Sequence, residues 1–185
     1  MRRIKVIPFK RKRTGKTDYR KRIRFISSNK PRLIIRKSLK NISLQIVEFH
    51  PTGDKVLLAI CSSALKKYGW KASNSNLPAA YLIGLLLGLK AKKSKIDEVI
   101  LDLGLYTSVK GSVLYSAMKG VVDAGLNVPH SNEVLPSEDR IKGVHISNYA
   151  KLAKEPQFLQ YKKDQLNPEE LPKHFEDIKT KIMKE

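Results

Sequence analysis

Lysine and arginine supply the chemistry available to this chain, and they are crowded at one end. Of the first 40 residues 17 are Lys or Arg and one, Asp18, is acidic, a local charge of +16 within a chain total of +20. Residues 41–185 therefore carry only +4. The densest stretch runs from Lys10 to Arg36, KRKRTGKTDYRKRIRFISSNKPRLIIR. Ionised side chains are costly to desolvate without partners, so this segment cannot bury itself. It needs a polyanion, and phosphate backbones are the commonest one. Arginine suits that task because its planar fork grips phosphate bidentately. A merely solvated face is the bland alternative, but it does not require 17 cations against one acid.

Catalytic chemistry finds little support. The four histidines, His50, His130, His145 and His174, are scattered, and the single Cys61 has no paired base. There is no zinc spacing, no H-E-x-x-H, no nucleophile elbow and no G-x-x-x-x-G-K-[ST] loop. One cysteine rules out an internal disulfide framework and fits a reducing compartment. Clustered carboxylates could make a two-metal nuclease, with Asp102 near a strand end as the best candidate. Asp97, Asp123 and Asp139 would have to converge on it, and nothing in their spacing says so. These acids are expected to be structural. No catalytic residue, metal or cofactor is expected. A signal peptide is not expected either, since the basic N-terminus lacks a long apolar run. A pI near 10 suits nucleic acid first and an anionic membrane surface second.

The elements that must carry the cations follow in order. Residues 1–30 are expected to form a basic arm, extended and disordered to Lys16 until bound. Thr17 or Asp18 then caps a short helix with Tyr19, Ile23 and Ile26 on one face. Residues 31–132 are expected to form an α/β core and 133–185 a helical extension. Arg32–Lys37, Asn41–Phe49 and Lys55–Cys61 read as a three-strand antiparallel meander, with Ile42, Leu44 and Ile46 facing one way. Cys61 is expected in the core. Trp70 either covers the sheet edge or touches RNA. Leu77–Lys93 is an apolar helix capped by Asn76, too short at 13 apolar residues to span a bilayer. Its Gly84 and Gly88 are expected to let it approach the sheet. Asp97–Leu103, a helix over Ser112–Ala124 and a short strand at Leu126–His130 suggest a βαβ crossover with a parallel pair. The Gly104–Gly111 loop before that helix is weak as a nucleotide cradle, though its helix N-terminus could meet an RNA phosphate. In the tail, Ser137 caps a short turn, His145–Lys154 is helical, and Asn167-Pro168-Glu169-Glu170 opens a helix. Leu171, Phe175, Ile178 and Ile182 make an apolar stripe that docks on its own domain, or else on an rRNA groove or a neighbouring protein.

The wording of the arm, Lys16-Thr17-Asp18-Tyr19 between arginine clusters and Pro31-Arg32 opening a strand, resembles a known family. Ser75-Asn76 before the leucine-rich helix, DLGL (Asp102–Leu105), SVLYSAMKGVVDAGL (Ser112–Leu126) and VPHS (Val128–Ser131) extend the likeness over Lys10 to Tyr149. It is similar to the archaeal and eukaryotic type of the large-subunit ribosomal protein that binds 5S rRNA, the universal L-eighteen family. Ser108 and Ser112 stand where that family often has Thr and a basic residue.

The resemblance implies a structural constituent of the cytoplasmic large ribosomal subunit, not an enzyme. It implies binding to 5S rRNA, contact with 23S rRNA and attachment of the 5S particle to the central protuberance, beside neighbouring ribosomal proteins. No membrane and no homo-oligomer is expected. The implied rRNA-binding residues are Arg2, Arg3, Lys10, Arg11, Lys12, Arg13, Lys16, Thr17, Tyr19, Arg20, Arg22, Arg24, Arg36 and Lys37 on the arm and first strand, and Lys110 on the loop. Tyr19 either stacks on a base or anchors its helix. Two rivals remain, a metal-dependent nuclease of similar topology and a non-specific chromatin-type protein.

Overall fold

The computed structural model describes residues 6–152 and 157–184. Two short helices precede the sheet. α1 (Lys10–Arg13) is a single turn, where an extended chain was expected. The Thr14 hydroxyl donates to the Lys10 carbonyl at 3.0 Å, and Phe9 packs on Tyr19 with ring centroids 5.3 Å apart, so the turn has local partners. α2 (Tyr19–Ile26) follows. The strands β1 (Arg32–Lys37), β2 (Ile42–Glu48) and β3 (Lys55–Cys61) form the antiparallel meander expected from their alternation.

The sheet continues on the far side of β1. β4 (Ile100–Asp102) runs parallel to β1 and pairs Asp102 with Ile34, giving the mixed order β3-β2-β1-β4. The crossover returns beside β4 only as one parallel bridge, Glu98 to Asn127. Two backbone bonds hold it, Val99 N–H to Asn127 O at 3.0 Å and Asn127 N–H to Asp97 O at 2.8 Å. Pro129, two residues on, has no N–H to extend the pairing. The class is therefore α/β with a mixed sheet and packed helices, as the pattern indicated.

Between β3 and the bridge lies the helix that organises the core. α3 (Leu77–Lys93) is capped by the Asn76 side chain, which accepts from Ala79 N–H at 2.9 Å. One side of α3 meets the sheet through Ile83, Leu87 and Ala91, against Leu33, Ile35, Leu44 and Ile46. α4 (Val113–Asp123) lies beside it. The glycines of α3 face α4, not the sheet. A Cβ on Gly84 would stand 2.0 Å from the Ala117 carbonyl oxygen, and one on Gly88 would stand 2.4 Å from Ala124 Cβ. Gly120 of α4 answers them, with 2.1 Å from its notional Cβ to the Tyr81 carbonyl oxygen. Glycine–glycine approach of two helices is the sense of the Gly84–Gly88 spacing here.

The other side of α3 is covered by the tail. α5 (Glu138–Lys142), α6 (Val144–Leu152), α7 (Leu159–Lys163) and α8 (Leu171–Met183) follow in order. The stripe Leu171, Phe175, Ile178 and Ile182 is buried to 2% exposure or less, against Tyr81, Leu82 and Leu85 of α3. It docks on its own chain. Trp70 belongs to this cluster rather than to the sheet edge. It is buried, stacks on His174 at 5.2 Å and donates its indole N–H to the Ser73 carbonyl. The apolar all-round character of α3 thus has a plain cause, since both of its broad faces are covered. No helix among the described residues is long and apolar enough to cross a membrane.

Candidate nucleic-acid interface

The arm is held on the outer face of the sheet, the face opposite α3. Asp18 caps α2 by accepting from Arg20 N–H at 2.9 Å and Lys21 N–H at 3.3 Å. Tyr19, half-buried at the start of α2, packs against Phe9. Ile23, expected on one face with Tyr19 and Ile26, is exposed. Arg22, Phe25 and Ile26, on the next strip of the helix, are the partly buried ones.

A row of alternating charges ties arm to sheet. Arg22 Nη2 meets Asp54 Oδ1 at 3.0 Å. Asp54 Oδ2 meets Arg32 Nη2 at 2.7 Å. Arg32 Nη1 meets Asp102 Oδ2 at 3.3 Å, and Asp102 Oδ1 meets Arg36 Nη2 at 3.2 Å. Arg36 Nη1 also donates to the Asp102 and Ile35 carbonyls, each at 2.8 Å, and Asp102 Oδ1 accepts from Gly104 N–H at 2.7 Å. Arg32 and Asp102 are buried. Their desolvation is offset only because each charge has two opposite neighbours or more. Strand period explains the placement, since Arg32, Ile34 and Arg36 share the outer face while Leu33 and Ile35 fill the core.

Beside this row the arm and sheet enclose a cleft of about 280 Å³. Arg11, Lys16, Asp18, Lys21 and Arg22 line it from the arm, Ile34, Arg36, Gln45 and Leu105 from the sheet side, and the carboxylates of Asp54 and Asp102 from the ion row. Arg11 Nε donates to the Thr17 hydroxyl at 2.9 Å, which places both at the cleft. Among the described residues neither Lys16 nor Lys21 has a carboxylate within ion-pair reach.

The remaining residues expected to bind rRNA divide into groups. Lys10, Lys12 and Arg13 on α1, Arg20 and Arg24 on α2, and Lys37 at the end of β1 are exposed. The carbonyl of Lys37 accepts from the Tyr106 hydroxyl. Lys110 stands apart from the cleft and pairs with Glu133 at 2.9 Å. Arg2 and Arg3 lie outside the described residues. Sequence reading passed over Lys21, Arg32, Asp54 and Gln45 as parts of this surface. The one available signal was Arg32 itself, a cation leading directly into the apolar run Leu33-Ile34-Ile35, where burial calls for carboxylate partners.

The acids weighed for metal chemistry do not converge. Asp102 serves Arg32 and Arg36, and Asp123 accepts from the Tyr81 hydroxyl at 2.9 Å and pairs with Lys119 at 3.0 Å. Burial, then that hydrogen bond and the charges of Asp123 and Glu138, push the Tyr81 hydroxyl well above its ordinary range. Among the described residues no three His, Cys, Asp or Glu side chains are grouped as metal ligands. Cys61 lies opposite Ser43 on the outer sheet face, half-buried, and not in the core.

An α/β domain with a cationic arm laid on its open sheet face, and with no metal-ligand cluster among the described residues, has the build of a nucleic-acid-binding scaffold. Comparison with known proteins makes that specific. Residues 2–99 and 90–131 match the family described as ribosomal large subunit proteins 60S L5 and 50S L18. The chain is also similar to large ribosomal subunit protein uL18 of Methanococcus maripaludis, with 45% identity over 183 residues, 96% of this chain and 95% of that one. The chain belongs to this L5/L18 family, and it is a structural constituent of the large ribosomal subunit rather than an enzyme.

Proposed function

We propose that this protein binds 5S rRNA, contacts 23S rRNA and so attaches the 5S particle to the central protuberance, with neighbouring proteins of that region as further partners. One observation carries the reading. The arm is pinned to the outer sheet face by Arg22–Asp54, while Lys10, Arg11, Lys12, Arg13, Lys16, Arg20, Lys21 and Arg24 are exposed. Lys10, Arg11, Lys12, Arg13, Lys16, Arg20 and Arg24 then form one cationic surface for an RNA backbone, continued by Lys37 at the end of β1. Arg2 and Arg3 add charge to the same arm. Arg22 and Arg36 act through the ion row, with part of their charge already answered by Asp54 and Asp102. Thr17 and Tyr19 hold the arm's shape, and Lys110 would make a separate contact at the loop before α4.

The test is competition binding of labelled 5S rRNA against tRNA and DNA of equal length. The proposal expects 5S rRNA to be displaced well only by itself. Equal displacement by all three would mean that the arm reads charge alone.

A further inference from the structure

The cleft between arm and sheet has a composition that backbone neutralisation does not need. Asp18, Asp54 and Asp102 also line it, but Asp18 is taken up by the α2 N-terminus and Asp54 and Asp102 by Arg22, Arg32 and Arg36. Three further kinds of group meet there. Lys16 and Lys21 offer ammonium groups without carboxylate partners, and Arg11 stands beside them. Phe25, Ile34 and Leu105 present an aromatic face and aliphatic surface. Gln45 is half-buried on β2, and among the described residues its amide has no hydrogen-bond partner. A phosphate rail alone would need only the first kind.

We propose that this cleft takes a single unstacked nucleotide of RNA. Lys16, Lys21 and Arg11 meet its phosphate, Phe25 and Ile34 cover the base plane, and the Gln45 amide reads the base edge. The inference rests on the RNA-binding reading above and adds the form of the ligand. The volume of about 280 Å³ lies at the lower edge of the ~300–1,000 Å³ of small-ligand pockets, which restricts the cleft to one nucleotide and admits no duplex. Base–aromatic stacking is tolerant of sequence, which leaves discrimination to the amide. A glutamine amide is both donor and acceptor and matches the N6/N7 edge of adenine, so adenine is the preferred base.

The test follows methyl resonances of Ile34 and Leu105 in the full chain during titration with a tetra-adenylate, a tetra-uridylate and a short RNA duplex at equal phosphate. Tetra-adenylate should shift both methyls at about tenfold lower concentration than tetra-uridylate. The duplex should shift arm resonances only. Gln45→Leu should remove the adenine preference while leaving the salt dependence of binding in place. Ile34→Trp should fill the cleft and abolish the Leu105 shift. Equal shifts by duplex and single strands, or shifts confined to the arm lysines, would overturn the proposal, as would an adenine preference untouched by Gln45→Leu. The 5S reading is judged separately in the competition assay. Cleft shifts without a 5S preference sink that reading alone, and a 5S preference without cleft shifts sinks this one.

Discussion

The two ends of the chain both lay a helix on the core, and they do it with opposite chemistry. α8 docks through Leu171, Phe175, Ile178 and Ile182, each removed from water and each worth about 1.5–3 kcal/mol. α2 docks through the Arg22–Asp54 bridge with Phe25 and Ile26 only half-buried. Apolar docking has no competitor in water. Charge docking does, because a phosphate can take the place of a carboxylate at an arginine. The comparison teaches which end is built to exchange partners and which is built to stay closed.

Salt should separate the two ends most sharply. If the arm neutralises ~6–10 phosphates, RNA affinity falls by ~10³–10⁵ between ~50 and ~200 mM salt, while the thermal midpoint of the free protein barely moves. Deleting residues 1–16 should shallow the slope of log affinity against log salt by ~0.7–0.9 for every phosphate that the shortened arm no longer reaches. An unchanged slope would move the binding surface off the arm.

Phe175→Ala attacks the other end. The side chain is 2% exposed in a packed cluster, so the loss should be about 3–5 kcal/mol, read as a lower denaturant midpoint. RNA affinity of the folded fraction should stay the same. A loss of affinity as large as the loss of stability would erase the distinction between the ends.

Asp102→Asn tests the row that joins arm to core. Arg32 would keep only Asp54, and Arg36 would lose its carboxylate, at a cost of about 2–3 kcal/mol in urea unfolding. RNA affinity of the folded protein should not fall, because the cleft gains one net positive charge.

The smallest expected effect is the pH response of the tail. Burial holds the His174 imidazole below its ordinary value, Asp177 opposes this, and Lys181 and Lys71 add to it. The fold therefore favours neutral His174, which accepts from Lys71 N–H at 3.3 Å. Its contribution is complete above the unfolded value of about 6.5 and declines as pH falls below it, levelling off past the folded value. His174→Gln should flatten part of the stability loss between about pH 7 and 5. Burial, then Arg140, lowers His145 in the same direction, so some slope remains.

Local signals were legible and distant ones were not. Asn76 as a cap, the alternation of β2 and the apolar spacing of α8 are each written within one element and stand where the pattern put them, and the structure chooses Asp18 over Thr17 as the cap of α2. The ion row needs partners 22 and 70 residues from Arg32, a relation that no periodicity carries. The exposed Ile23 shows the same limit. On so short a helix, a one-strip rotation decides which residues dock, and here Asp54 selects Arg22. Gly84 and Gly88 announced close approach, but their partner became visible only with Gly120 in place. As for the candidate site, the exposed cations were evident from charge density, whereas Gln45 looked like any polar residue on a solvated sheet face.

The two covered faces of α3 also set an order of events during synthesis. Residues that close the sheet side are made early, with β1 and β2 preceding α3 in the chain. The opposite face waits for Phe175, 86 residues after Leu89. At ~5–20 residues per second that is roughly 4–17 s in which Tyr81, Leu82 and Leu85 have no tail to cover them. The nascent chain meanwhile already displays its complete cationic arm. The growing protein thus exposes this apolar face while its arm is already able to bind RNA, and early capture of the arm by a polyanion would keep such chains apart until the last helix arrives.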